Sequence, residues 1–192
     1  MAALKDGNAF WRRHAQRLLI ERGQADVVPA LLNLVKETKV DEIGLNPGAM
    51  HALWTLQGLK ALDGRNAAAL DVVQGALKHP AAGVRRNALQ VLPAGAASVS
   101  AIAQSRVLDD AHPQVRLAAI LALADQPPSR EAGALVAPLI SRAELNQDRW
   151  LADATTSAAA VQVAFVLPAL GQVRSEEHTS ELQSPCNLVC RL

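Results

Sequence analysis

The side chains able to do chemistry in this 192-residue chain are few and dispersed. His14, His51, His79 and His112 fall in different stretches, and no H-E-x-x-H pair, Gly-rich phosphate loop or G-x-S-x-G elbow accompanies them. A metal centre, or a nucleophile with its base, needs such groups converging at fixed spacing. The expectation is therefore of no catalytic, cofactor-binding or metal-ligating residue, and of no enzyme activity within the chain itself. His79 and His112 each precede a proline, where a turn or capping role is expected. His51 stands three residues before Trp54 on about the same helical face, which suits either the lining of a pocket or a packed, hydrogen-bonded histidine.

Arginine offers more. Arg85 and Arg116 each follow a valine, and the planar guanidinium can hold a carboxylate through two parallel bonds. With Asp109 and Asp110 they are expected to form a partly buried ladder between successive structural units. Arg12, Arg13 and Arg17, with Arg22, make a local basic stripe that is either a docking surface for a protein or neighbouring domain, or a solvated face. Trp11, Trp54 and Trp150 either fill space among smaller side chains or anchor a partner.

The elements that must carry these residues follow from the apolar pattern. Half of the chain is hydrophobic, enough for a sizeable core, but only 3% is aromatic, so thin layers of Ala, Leu and Val supply the packing and favour closely set helices. Five segments share one phase, marked by Ala15, Ala52, Ala88, Ala119 and Ala154 at intervals of 37, 36, 31 and 35 residues, the length of two helices and two turns. Asn46 before Pro47 predicts a capped helix start, and Gly23 and Gly64 predict helix ends. Second helices are predicted at about residues 26–37, with Asp26 as the cap, and at 66–78, 98–108 and 129–142. Residues 38–46 form a loop longer than a tight turn requires and able to reach a partner. A helical pair of this kind buries its apolar faces only by stacking on its neighbours.

Residues 108–124, LDDAHPQVRLAAILALA, resemble the HEAT-repeat signature, and LKHPAAGVRRNALQVL from Leu77 is a second match. The resemblance implies an all-α fold, a right-handed α-solenoid of about five HEAT-like helical hairpins over residues 1–173. For function a HEAT array implies little beyond binding or scaffolding. The segments FWRRHAQRLLIERG, VVPALLNLV, DEIGLNPGAMHALWTLQGL and DRWLADA are similar to the HEAT region of large planctomycete-type bacterial proteins, which join a sugar-dehydrogenase-like β-propeller, HEAT repeats and a cytochrome c domain. That resemblance implies a haem-bearing oxidoreductase parent and a periplasmic location, with haem c held outside these residues, since no Cys-x-x-Cys-His occurs here. The alternatives are a free-standing HEAT adaptor for a protein or peptide and, more remotely, a tetrapyrrole lyase-like repeat protein.

A formal charge of +1 gives no argument for nucleic acid or an anionic membrane. The opening MAALKDGNAFWRRHAQ lacks the apolar core of a signal peptide. The most apolar run, 158–170, is interrupted by Gln162 and Pro168 and is expected to be a buried helix, too short to span a bilayer. From Arg174 the pattern stops. RSEEHTSELQ and, after a short gap, NLVCRL resemble a short-read sequencing adapter translated in frame. Residues 174–192 are thus expected to be foreign to a truncated array and disordered, with a genuine acidic, flexible tail as the alternative. Cys186, Cys190, Glu177 and His178 then carry no chemistry.

Overall fold

Stretches rich in Ala and Leu become helices, and turns fall where Gly, Pro, Asn and Asp interrupt them. The structure is a computed structural model that describes residues 1–63 and 66–170. Among these the regular structure is entirely helical: α1 (Ala9–Arg22), α2 (Val28–Lys36), α3 (Pro47–Gly58), α4 (Ala67–Gly75), α5 (Ala82–Val91), α6 (Ala96–Ser105), α7 (Pro113–Ala124), α8 (Arg130–Ile140), α9 (Ala143–Asn146), α10 (Arg149–Val161) and α11 (Val163–Leu170). The chain divides into two compact units, Met1–Ala122 and the residues from Leu123 onward.

In the first unit α3 is the centre, packed against α1, α2 and α5. Its Ala49, Ala52, Leu53 and Leu56 have no exposed surface, and the small residues let the neighbouring helices come close. Gly58 leaves room for the Ile20 side chain of α1: a Cβ there would lie 2.5 Å from Ile20 Cδ1. In the second unit α10 packs on α8 and α9, burying Leu151, Ala154 and Ala158 near Val136, Leu139 and Leu145. Gly133 of α8 fits against Phe165 of α11.

Three helix starts are built on one plan. A 3₁₀ turn (Ala2–Lys5, Ala76–Lys78 or Val107–Asp109) buries a leucine, Leu4, Leu77 or Leu108. The next residue, Asp6, His79 or Asp110, is extended, and its side chain accepts the amide N–H two residues on, from Asn8, Ala81 or His112, at 2.8 to 2.9 Å. Six residues beyond it an arginine reaches back. Arg12 Nη1 donates to the carbonyls of Asp6 and Gly7 at 2.6 and 2.9 Å, Arg85 Nη1 to those of His79 and Pro80 at 2.8 and 2.9 Å, and Arg116 Nη1 to those of Asp110 and Ala111 at 2.8 and 3.5 Å. Each clamp satisfies carbonyls that the turn leaves without a helical partner. The starts of α3 and α10 lack it. There Ala49 and Leu151 occupy the arginine position, and the starts are capped directly: Asn46 Oδ1 accepts from Ala49 N–H, and Asp148 Oδ1 from Trp150 and Leu151 N–H.

The predicted second helices are all present but shorter. Asp26 is not the cap of α2, which begins after a 3₁₀ turn (Ala25–Val27) with no side-chain cap; its carboxylate pairs with Arg22 at 2.6 Å instead. The stretch 66–78 ends in the 3₁₀ turn that buries Leu77, and 98–108 is broken at Arg106, which takes φ 58°. Gly23 closes α1 in the left-handed region, at φ 66°. Gly64 lies outside the described residues, as do residues 174–192 with both cysteines, Glu177 and His178.

The apolar run 158–170 is two elements, not one buried helix. Gln162 interrupts it, and α10 and α11 meet at 102°. The Gln162 side chain has no exposed surface; Oε1 accepts from Ser129 N–H at 2.9 Å, and Nε2 lies 3.1 Å from the Gln126 carbonyl. Past the break Val163, Phe165 and Leu167 are at least one-third exposed. Among the described residues no single helix is long and apolar enough to cross a membrane.

Candidate functional site

On α1 the residues Arg13, Gln16, Arg17 and Ile20 recur at helical spacing and form one face. Opposite them α3 places Met50, His51 and Trp54, and α5 adds Asn87. Together, with Glu21, they line an open groove of about 700 Å³ in the first unit. Its floor is Ile20, Met50 and the half-buried Trp54, and Arg13 and Arg17 stand exposed along the α1 side.

The polar groups of the groove are joined across helices. His51 Nδ1 and Gln16 Oε1 are 2.6 Å apart, and since the amide oxygen only accepts, the imidazole donates there and carries its proton on Nδ1. Trp54 Nε1–H donates to Asn87 Oδ1 at 2.6 Å, while Asn87 Nδ2 donates to the Gly83 carbonyl at 2.6 Å. Burial lowers the His51 pKa below the ordinary histidine value, and the positive charges of Arg12 and Arg13 lower it further. The imidazole is therefore neutral at pH 7 and sits in a positive field.

His51 and Trp54, which the sequence left open between a packed role and a pocket or partner role, lie together with Arg13 and Arg17 along the groove. Arg12 is placed differently, with Nη1 committed to the clamp at the start of α1. The basic stripe is thus divided: Arg12 holds backbone, Arg22 pairs with Asp26, Arg17 lies 3.4 Å from Glu21 in an exposed pair, and Arg13 faces the groove. Gln16, Met50 and Asn87 were not singled out by sequence reasoning. The signal was there in the phase of the sequence pattern, because His51 and Asn87 directly precede Ala52 and Ala88, and Arg17 and Trp54 lie two residues beyond Ala15 and Ala52.

The arginine ladder is present at one step. Arg85 Nε and Nη2 donate to Asp110 Oδ2 and Oδ1 at 2.7 and 2.8 Å, a two-bond pair with side chains only 17% and 9% exposed. Burial raises the Asp110 pKa, but the Arg85 bonds, the His112 amide and the Arg85 charge together outweigh it and hold the carboxyl below the ordinary value. Arg116 gives its Nη1 bonds to main-chain carbonyls and its Nε is buried without a partner, so the expected Arg116 to carboxylate rung is not formed through Nε. Asp109 ends the 3₁₀ turn before α7.

Two tryptophans are not core fillers: Trp11 is 52% and Trp150 68% exposed. Trp11 and Phe10 meet edge to face at 5.0 Å, and Phe10 stacks on His14. His79 is buried, accepting at Nδ1 from Ala81 N–H, so its Nε2–H donates to the Glu37 carbonyl at 3.0 Å, a linking role beyond the expected turn. The loop 38–46 is tied by Asp41, which accepts from Ile43 and Leu45 N–H, and by Asn46 Nδ2 on the Glu37 and Lys39 carbonyls; Ile43 at its tip is 79% exposed.

Among the described residues no group of three or more His, Cys, Asp or Glu is placed to hold a metal ion. The groove pairs a positive rim with an aromatic and aliphatic floor, a combination suited to binding. No protein-family model matches the sequence, and none of the curated proteins matches it at a significant level.

Proposed function

We propose that these residues are a helical-repeat interaction module, a HEAT-like right-handed solenoid of about five hairpins that scaffolds or binds protein and performs no catalysis itself. The carrying observation is the clamp made by Arg12, Arg85 and Arg116. Identical bonding to the residues six and five positions earlier, with Leu4, Leu77 and Leu108 in register, is what stacked copies of one unit would have. The parent we favour is a larger bacterial multidomain protein with a haem-bearing, dehydrogenase-like part, in which the module spaces or joins domains. A free-standing adaptor for a protein or peptide is the second reading, favoured by the open groove between α1, α3 and α5.

Sequencing the source DNA through both flanks of the reading frame separates these. A propeller upstream and a Cys-x-x-Cys-His downstream are expected for the parent. A stop codon soon after Val173, with Met1 as the true start, leaves the adaptor. Tetrapyrrole lyase activity, the remote alternative, predicts binding of a free bilin or haem by the chain lacking residues 174–192; an unchanged visible spectrum on titration eliminates it.

A further inference from the structure

We infer that the groove between α1, α3 and α5 is a docking site for an extended acidic protein segment that sets one or two carboxylates against Arg13 and Arg17 and a bulky apolar side chain on Trp54, Met50 and Ile20. The inference rests on the interaction-module reading and gives it a partner class. Charge complementarity selects the occupant. Arg13 and Arg17 line the α1 side exposed, and the one carboxylate there, Glu21, is held only by an exposed contact to Arg17, so an incoming acid loses little by replacing it.

The floor selects the second feature. Trp54 has its indole N–H already bonded to Asn87, so what its ring offers is an apolar face, as do Met50 and Ile20. The walls are preorganised, since the Gln16–His51 and Trp54–Asn87 bonds each lock side chains across two helices. Three neighbouring helices at the usual spacing of roughly 8–10 Å span about 20 Å. An extended chain covers that in about six residues. The expected ligand is therefore a short run with its acids at the α1 end and its apolar anchor in the middle.

The test uses the full chain and a fluorescein-labelled peptide with two adjacent glutamates followed, two residues on, by leucine and phenylalanine. Saturable binding by anisotropy is expected, with a shift of the Trp54 indole N–H resonance and at least tenfold weakening in the Arg13→Glu, Arg17→Glu double variant. Both positions are exposed, so the variant should keep the helical circular-dichroism spectrum. A peptide with lysines for the glutamates should bind the double variant better than the native chain. Equal binding of both peptides by the native chain, no loss in the double variant, or displacement by single-stranded oligothymidylate at lower concentration than by unlabelled peptide would each overturn the inference. Those failures leave the repeat reading standing, because it rests on the clamps of Arg12, Arg85 and Arg116 and not on the groove. Arg149→Glu, on the exposed face of α10 in the other unit, is the control and should leave affinity unchanged.

Discussion

The Arg85 and Asp110 pair combines a two-bond ion pair with a backbone clamp, so each side chain loses more than one partner when it is cut. Removing one member of a buried pair strands the other, which costs about 3–5 kcal/mol. Arg85→Ala is expected to fall at the lower end, near 3 kcal/mol, in urea unfolding, with Arg12→Ala, which has no carboxylate partner at its clamp, costing about 1–2 kcal/mol. Equal losses would show that the carboxylate adds nothing. The pair also sets an acid limit. Because the folded-state pKa of Asp110 is lowered, its contribution is full at neutral pH and is lost as pH falls through and below the ordinary carboxylate range. Asp110→Asn should flatten that limb of the stability profile, and an unchanged acid dependence would place the titration elsewhere. For His51 the sign is the same: a lowered pKa favours folding with the ring neutral, and stability falls as the ring is forced to protonate. Arg13→Ala should raise the His51 pKa, read from its imidazole proton shifts. At this scale the sequence was half legible. Arg85 with Asp110 could be read from the spacing of Val-Arg and Asp, because a guanidinium there has a carboxylate one unit on. The role of Arg12 was hidden because Trp11 stands where Val84 and Val115 stand, which made the segment look like a basic surface stripe.

Helix boundaries were legible where the signal was local. Asn46 and Ser129 act locally, each accepting an amide three residues on, so short-range chemistry sufficed to place them. The ends depended on tertiary burial: the pull of Leu77 and Leu108 into the core tightens the last turns into 3₁₀ geometry, which periodicity alone does not reveal. Gln162 is the extreme case. In sequence it is a polar blemish in an apolar run, but in the fold it ties the α10–α11 break to the segment between α7 and α8. Gln162→Ala would leave the Ser129 N–H and the Gln126 carbonyl without this partner, and a loss on the order of 3 kcal/mol is expected. An effect below about 0.5 kcal/mol, the usual size for a surface change, would contradict the role given to it. Gly133→Ala tests the α8–α11 contact separately. The added methyl meets the Phe165 Cβ and its backbone, atoms that cannot swing aside, so overpacking should cost about 1–3 kcal/mol, with α11 the segment whose amide exchange rises most.

At the scale of the molecule, the all-helical class was readable from composition and phase, because Ala-rich stretches interrupted at regular intervals leave little else to form. The groove was not, since it depends on which faces of α1, α3 and α5 meet, and Gly58 and Gly83, which admit Ile20 and Met50, gave no sign of that. The change of pattern at Arg174 makes a prediction of its own: deleting residues 174–192 should leave the thermal unfolding midpoint unchanged, and a clear drop would show that they belong to the folded protein. One property of the clamps reaches beyond stability. Every bond in a clamp closes a loop of only a few residues, from Leu4 to Arg12, Leu77 to Arg85 or Leu108 to Arg116, so the entropy of closure is small and no distant partner must arrive first. Contacts of such low order form fast. The three clamps are therefore expected to close early in folding, each needing for its own bonds no partner from a distant part of the chain.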